Sequence, residues 1–127
     1  MMEMIYTETA PKAIGPYSQA MKVNDFLFLS GQIPVNPVTN EVVEHDIIQQ
    51  TNQVMKNIKA ILESEGLTLE NIIKTTIFIK DMSQFPIINE EYSKYFNEHK
   101  PARSTVEVSA LPKNVLIEIE AIAYMGQ

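Results

Sequence analysis

Apolar positions in this chain follow two periods, and the change between them marks its elements. Ile47, Ile48, Thr51, Val54, Met55, Ile58, Ile61 and Leu62 recur at helical spacing and form one stripe. Asp46 precedes the stripe and Gln49 follows it by three, which resembles a capping box with Asp in the role of Ser or Thr. Gly66 stands where the helix would end in a left-handed residue. A second helix is predicted from Phe85, Ile88, Tyr92, Tyr95 and Phe96, capped by Ser83, with Pro86 tolerated in its first turn. Strand-like runs are Glu3 to Thr7, Tyr17 to Val23, Phe26 to Ser30, and the β-branched Ile72 to Lys80. Asn24-Asp25 joins two of them as a tight hairpin, whereas Ala10 to Pro16 and Gly31 to Asn40 are loops punctuated by proline and glycine. Thr68 to Asn71 reads as a turn or short helix.

Lys100 to Ala123 reads as two further strands joined by a short turn. In the first, Ser104, Val106 and Val108 share one face, and Arg103, Thr105 and Glu107 the other. In the second, Ile117, Ile119, Ala121 and Ala123 share a face, opposite Leu116, Glu118, Glu120 and Ile122. This parity predicts that Arg103 and Glu118 both lie off the core face, beside a small substrate. The order is β-β-β-α-β-α-β-β, an α+β class, and two helices cover only one face of a five- to six-stranded sheet. Phe26-Leu27-Phe28-Leu29 and Ile77-Phe78-Ile79 put apolar side chains on both faces, so a second copy of the chain is expected on the uncovered one.

At 127 residues, residues 1–127 form a single domain with a real core. The chain has no apolar run long enough to span a membrane and no N-terminal secretory pattern, so no membrane partner and a cytoplasmic location are expected. There is no cysteine, which excludes disulfides and thiol nucleophiles. The net charge of −6 argues against nucleic acid as a partner, since phosphate neutralisation supplies most of such affinity.

Most catalytic signatures are absent. The four glycines build neither a P-loop nor a dinucleotide fingerprint. His45 and His99 are far apart and do not read as metal ligands. Ser30 lacks the Gly-x-Ser-x-Gly context of a hydrolase nucleophile. Glu118 and Glu120 share a strand face, as solvated acids often do. Arg103 is the only arginine among ten basic residues. Its planar fork suits a carboxylate, although a structural ion pair with Glu107 or Glu118 is the plainer alternative.

Pro101-Ala102-Arg103-Ser104, Val106-Glu107-Val108, Leu111-Pro112 and Ile117-Glu118-Ile119 together resemble the signature of the RidA (YjgF) family. Gly15-Pro16-Tyr17-Ser18, Ser30-Gly31-Gln32-Ile33-Pro34, Lys74-Thr75-Thr76 and Lys80-Asp81-Met82 extend the resemblance over nearly the whole chain. It implies a chorismate-mutase-like fold assembled as a homotrimer, with sites in the clefts between subunits. It further implies a cofactor-free, metal-free deaminase of imine and enamine acids: 2-aminoacrylate/2-iminopropanoate and 2-aminocrotonate/2-iminobutanoate. Arg103 would clamp the substrate carboxylate, Glu118 would orient water and move protons, and Tyr17 would line the cleft. Ser30, Gly31 and Asn89 match positions near the ligand, and the backbone at Ser104 and Thr105 would hydrogen-bond substrate or water. Many relatives carry cysteine where this chain has Thr105, so any activity here is independent of a thiol.

Overall fold

A computed structural model of the chain describes residues 2–126. Its main sheet has six strands: β1 (Met2–Ile5), β2 (Ala20–Val23), β3 (Phe26–Gln32), β6 (Ile72–Ile79), β7 (Ala102–Glu107) and β8 (Ile117–Tyr124). Their spatial order is β1-β2-β3-β8-β6-β7. All neighbours are antiparallel except β6 and β7. A parallel pair needs a crossover, and the helix α2 (Phe85–Ser93) lies in the connection. The two-residue strand β4 (Val35–Asn36) lies inside Gly31 to Asn40, read from sequence as loop, and pairs with β5 (Glu41–Val42) just beyond it as a small hairpin.

The long helix α1 (Ile47–Ser64) begins and ends where its pattern predicts. The Asp46 side chain accepts a hydrogen bond from Gln49 N at 2.9 Å, and Gly66 adopts a φ of 74°. Every member of the stripe is buried except Ile48. The second helix starts differently from expectation. Ser83 is not its cap: Asp81 accepts from Ser83 N and caps a short 3-10 turn at Met82–Gln84, and α2 follows from Gln84 with no side-chain capping bond. An aspartate two residues upstream offers two acceptor oxygens, and Ser83 becomes a donor to one of them.

Both helices pack on one face of the sheet. Leu27, Leu29, Ile77, Ile79, Ile117, Ile119, Ala121 and Ala123 meet Val54, Met55, Ile58, Leu62 and Ile88 there. The opposite face carries Met4, Met21, Phe28 and Ile122 in one row across the strands, with Phe26 and Tyr124 beside it, and a separate pair, Phe78 and Val106, beyond Lys74, Thr76, Glu118 and Glu120. Phe28 stays 43% exposed and Val106 41%, so the apolar patches of this face are uncovered within one chain.

Two strand readings are corrected. β7 and β8 are not hairpin partners, because β6 inserts between them and pairs with both. Tyr17 and Ser18 precede β2 rather than belong to it. Their loop is held by Gln19, whose buried amide accepts from Thr7 N at 2.6 Å and donates to Pro11 O at 2.7 Å and Thr7 O at 3.1 Å. Gln50 and Asn57 play the same part elsewhere. Gln50 accepts from Leu116 N, and Asn57 donates to Ile33 O and Val35 O.

Candidate functional site

The register settles where Arg103 and Glu118 stand. Arg103 is the partner of Thr75, and Thr75 of Ala121. Glu118 is three residues from Ala121 along β8, an odd offset, so the two charges occupy opposite faces of the sheet. Two strand spacings and three residue rises put their Cα atoms roughly 14 Å apart. Arg103 is therefore on the helix-covered side, with Thr105 and Glu107, and Val106 is on the open face. The expectation that both charges share the non-core side is overturned. Val106 follows the uncovered apolar face rather than the core, because its register partner is Phe78.

Arg103 is held at the sheet edge by α2. Its Nη1 donates to Asn89 Oδ1 at 2.7 Å. The guanidinium carbon lies 5.2 Å from the Phe85 ring centroid and 5.3 Å from that of Tyr92. Among the described residues, no carboxylate lies within 4.0 Å of it. Glu107 instead accepts from Met82 N at 2.7 Å, so the structural ion pair is not made. The guanidinium opens onto a 420 Å³ pocket lined by Asn89, Tyr92, Ser93, Phe96, Lys100 and Pro101. A cation with free donors, flanked by aromatic rings, is suited to an anion.

The edge position of β7 adds backbone groups. Val108 N donates to Ile79 O at 2.8 Å, which fixes the phase of the ladder. By alternation, Ser104 and Val106 turn their main-chain groups toward β6, and Arg103 and Thr105 turn theirs outward. Thr105 thus offers a free N–H and C=O beside Arg103, whereas Ser104 points its side chain to the opposite face.

Glu118 belongs to a second cluster, on the open face. Between Leu29 and Gln32 the β3–β8 register slips, so Ser30 and Gly31 together oppose Glu120. This bulge brings the Gly31 backbone under the Glu118 carboxylate. A Cβ at Gly31 would fall within the van der Waals envelope of Oε2, 2.9 Å from Cδ and 3.1 Å from Cγ. Burial first, and then the like charge of Glu120, push the Glu118 carboxyl above the ordinary range. Arg103 does not offset this rise, as expected for a charge on the other face. Ser30 Oγ donates to Ser18 O at 2.7 Å, and its N–H to Gln19 O at 2.9 Å, tying the bulge to the Tyr17 loop. Tyr17 is 50% exposed and borders a 490 Å³ hollow with Gly15, Pro16, Ser18 and Ser30.

One chain thus carries two separate clusters: Arg103, Asn89 and Thr105 in one, and Glu118, Gly31, Ser30 and Tyr17 in the other. Phe85 and Tyr92, which flank the guanidinium, were read from sequence only as apolar helix positions. Their spacing of seven residues on one helix face was the available signal. Among the described residues, no group of three His, Asp or Glu side chains is placed to hold a metal ion, and no helix is long and apolar enough to cross a membrane.

Comparison with known proteins places this geometry in a family. Residues 7–125 match the family profile described as endoribonuclease L-PSP. A RutC family protein of Pyrococcus horikoshii is 61% identical over 124 residues, spanning 98% of each chain. The crystal structure of a Yersinia pestis protein of the conserved Rid family, YyfA, is 54% identical, with a TM-score of 0.95 over 98% of this chain and 99% of that one. The crystal structure of Escherichia coli TdcF with bound serine is 46% identical, with a TM-score of 0.92 over 98% of this chain and 99% of that one.

Proposed function

Because the chain belongs to the RidA (YjgF) family, we propose that it hydrolyses small 2-imino acids and their enamine tautomers to 2-oxo acids and ammonia. The observation that carries this reading is Arg103: a guanidinium without an anionic partner among the described residues, facing a pocket. The serine bound to E. coli TdcF is a three-carbon amino acid, matching 2-iminopropanoate in length and carboxylate.

Arg103 grips the substrate carboxylate through its fork, and Asn89 fixes one corner of that fork. Water adds to the imine carbon while Glu118 takes its proton. The resulting tetrahedral carbon carries a hydroxyl and an amino group. Glu118 delivers that proton to nitrogen as the amino group forms, then carries the hydroxyl proton to the same nitrogen as the C–N bond breaks, so ammonia leaves and the oxygen remains as the carbonyl of the 2-oxo acid. A carboxyl raised above its ordinary range by burial and by Glu120 is a stronger base than an unperturbed one, which suits it to taking a proton and handing it on. Enamine substrates first take a proton at C3 to become the imine. The outward backbone of Thr105 and the Tyr17 hydroxyl line the reacting end. No cofactor takes part, and water is the only co-reactant.

Opposite-facing half-sites require a second copy in this scheme. The Arg103 half of one subunit meets the Glu118 half of its neighbour, closing a homotrimer whose interior covers the apolar face. The test is a coupled assay: a threonine dehydratase generates 2-aminocrotonate, and release of 2-oxobutanoate is followed with and without the protein. Acceleration that is lost in Arg103→Ala supports the reading; no acceleration over buffer ends it.

The separation of the two charges within one chain favours a second reading, a carboxylate-binding regulatory protein in which Glu118 is idle. Ligand binding lost in Arg103→Ala, with no turnover by the wild type, would select it. RNA cleavage or translation inhibition fits the acidic chain less well, and salt-sensitive RNA binding would revive it.

A further inference from the structure

The rings that flank Arg103 differ in how they are fixed. Phe85 is held by packing alone. Tyr92 is buried, 5% exposed, and its hydroxyl lies 2.8 Å from Thr75 Oγ1. Thr75 is fully buried in β6, in a row otherwise made by Ile77, Ile79, Ile117 and Ile119. A valine would fill that space with the same shape, so the hydroxyl is the exception in an apolar row. Thr75 is also the register partner of Arg103. The same residue therefore neighbours the strand that carries the guanidinium and anchors the ring under it.

We propose that Thr75 is a positioning residue for the carboxylate clamp, holding the Tyr92 ring so that the Arg103 fork is presented to the pocket. This rests on Arg103 being the clamp. The physical reason is the exposure of Arg103 on an edge strand. Its long side chain has many rotamers, and Asn89 restrains only one nitrogen. A fixed ring face selects the rotamer in which the remaining donors point outward. Phe96, with its ring centroid 5.0 Å from that of Tyr92, packs against the ring without direction, and the hydroxyl tether to Thr75 adds a directional contact.

The experiment measures 2-oxobutanoate affinity by titration calorimetry, steady-state constants in the coupled assay, and thermal stability. It compares the wild type with Thr75→Val, Thr75→Ser, the double variant Thr75→Val/Tyr92→Phe, and Arg103→Ala. Thr75→Val is expected to raise Kd and KM about three- to tenfold, the scale on which a displaced cation–π contact acts, with kcat within twofold. Thr75→Ser keeps the hydroxyl and restores Kd. The double variant removes both polar partners, so its stability recovers toward the wild type while its Kd stays weak. A Kd that tracks stability through the series would mean that the pair serves the core alone, and would overturn the proposal. So would an unchanged Kd in Thr75→Val beside a Kd lost in Arg103→Ala, which leaves the clamp reading intact. An unchanged Kd in Arg103→Ala would overturn the clamp reading and this proposal together.

Discussion

Replacing Gly31 by alanine puts a methyl group where the Glu118 carboxylate lies. The new Cβ would overlap Oε2 and approach Cδ to 2.9 Å and Cγ to 3.1 Å. The backbone at Gly31 is not left-handed, so the conflict is with the side chain, which can swing away. Overpacking of this kind costs about 1–3 kcal/mol, which lowers Tm by roughly 3–12 °C in a domain of this size. The fold survives, but Glu118 moves by about 1 Å, a displacement that can cost on the order of 10²-fold in rate when the group must meet a reacting proton. The carboxylate also moves toward water. Its pKa then falls back toward the ordinary value of 4.5, because burial is the main cause of its rise. Activity that needs the ionised base will therefore show its acid limb at lower pH than in the wild type. The assay is kcat against pH in the coupled system, with circular dichroism to establish folding. A folded Gly31→Ala protein with kcat within twofold of wild type and an unmoved acid limb would refute the placement of Glu118 in the chemistry.

Three further outcomes follow from the same packing. Glu118→Gln will raise Tm at pH 7, because a carboxyl with a raised folded-state pKa destabilises the fold once it ionises; the gain fades as pH falls through that pKa toward 4.5, and an equal gain at pH 7 and pH 4 would contradict it. Phe28→Glu puts a charge on the uncovered apolar face, so sedimentation will find smaller species than for the wild type with the helix content retained; a wild type that is monomeric at micromolar concentration would contradict it. Asp46→Ala removes the acceptor for Gln49 N and will cost about 0.5–2 kcal/mol in chemical denaturation, without changing affinity for a 2-oxo acid.

The helices were legible because their signals are local. The α1 stripe, Asp46 and Gly66 act within a few residues of one another, and each behaves as its chemistry dictates. The uncovered face was legible too, since Phe26 and Phe28 alternate with Leu27 and Leu29 and cannot all be buried by two helices. The face occupied by Arg103 was not. Alternation separates Arg103 from Val106, but which of the two meets the core is decided by pairing with Thr75 and Phe78, about 28 residues away. That pairing also inserts β6 between β7 and β8, which sequence proximity suggested were neighbours. Tyr17 looked like strand from its apolar neighbours, yet Gln19 fixes its loop through bonds to Thr7 and Pro11, which no local pattern announces. Asn89 and Gly31 were named through resemblance, and their partners, Arg103 and Glu118, became visible only with the packing.

The most direct test mixes two inactive variants. Arg103→Ala and Glu118→Gln are each purified, unfolded together in equal amounts and refolded, so that subunits assemble at random. If each site draws its arginine from one subunit and its glutamate from the next, a quarter of the junctions carry both, and activity returns to about a quarter of wild type. If the two residues act within one chain, or if either is dispensable to the chemistry, the mixture has no more activity than its separate components.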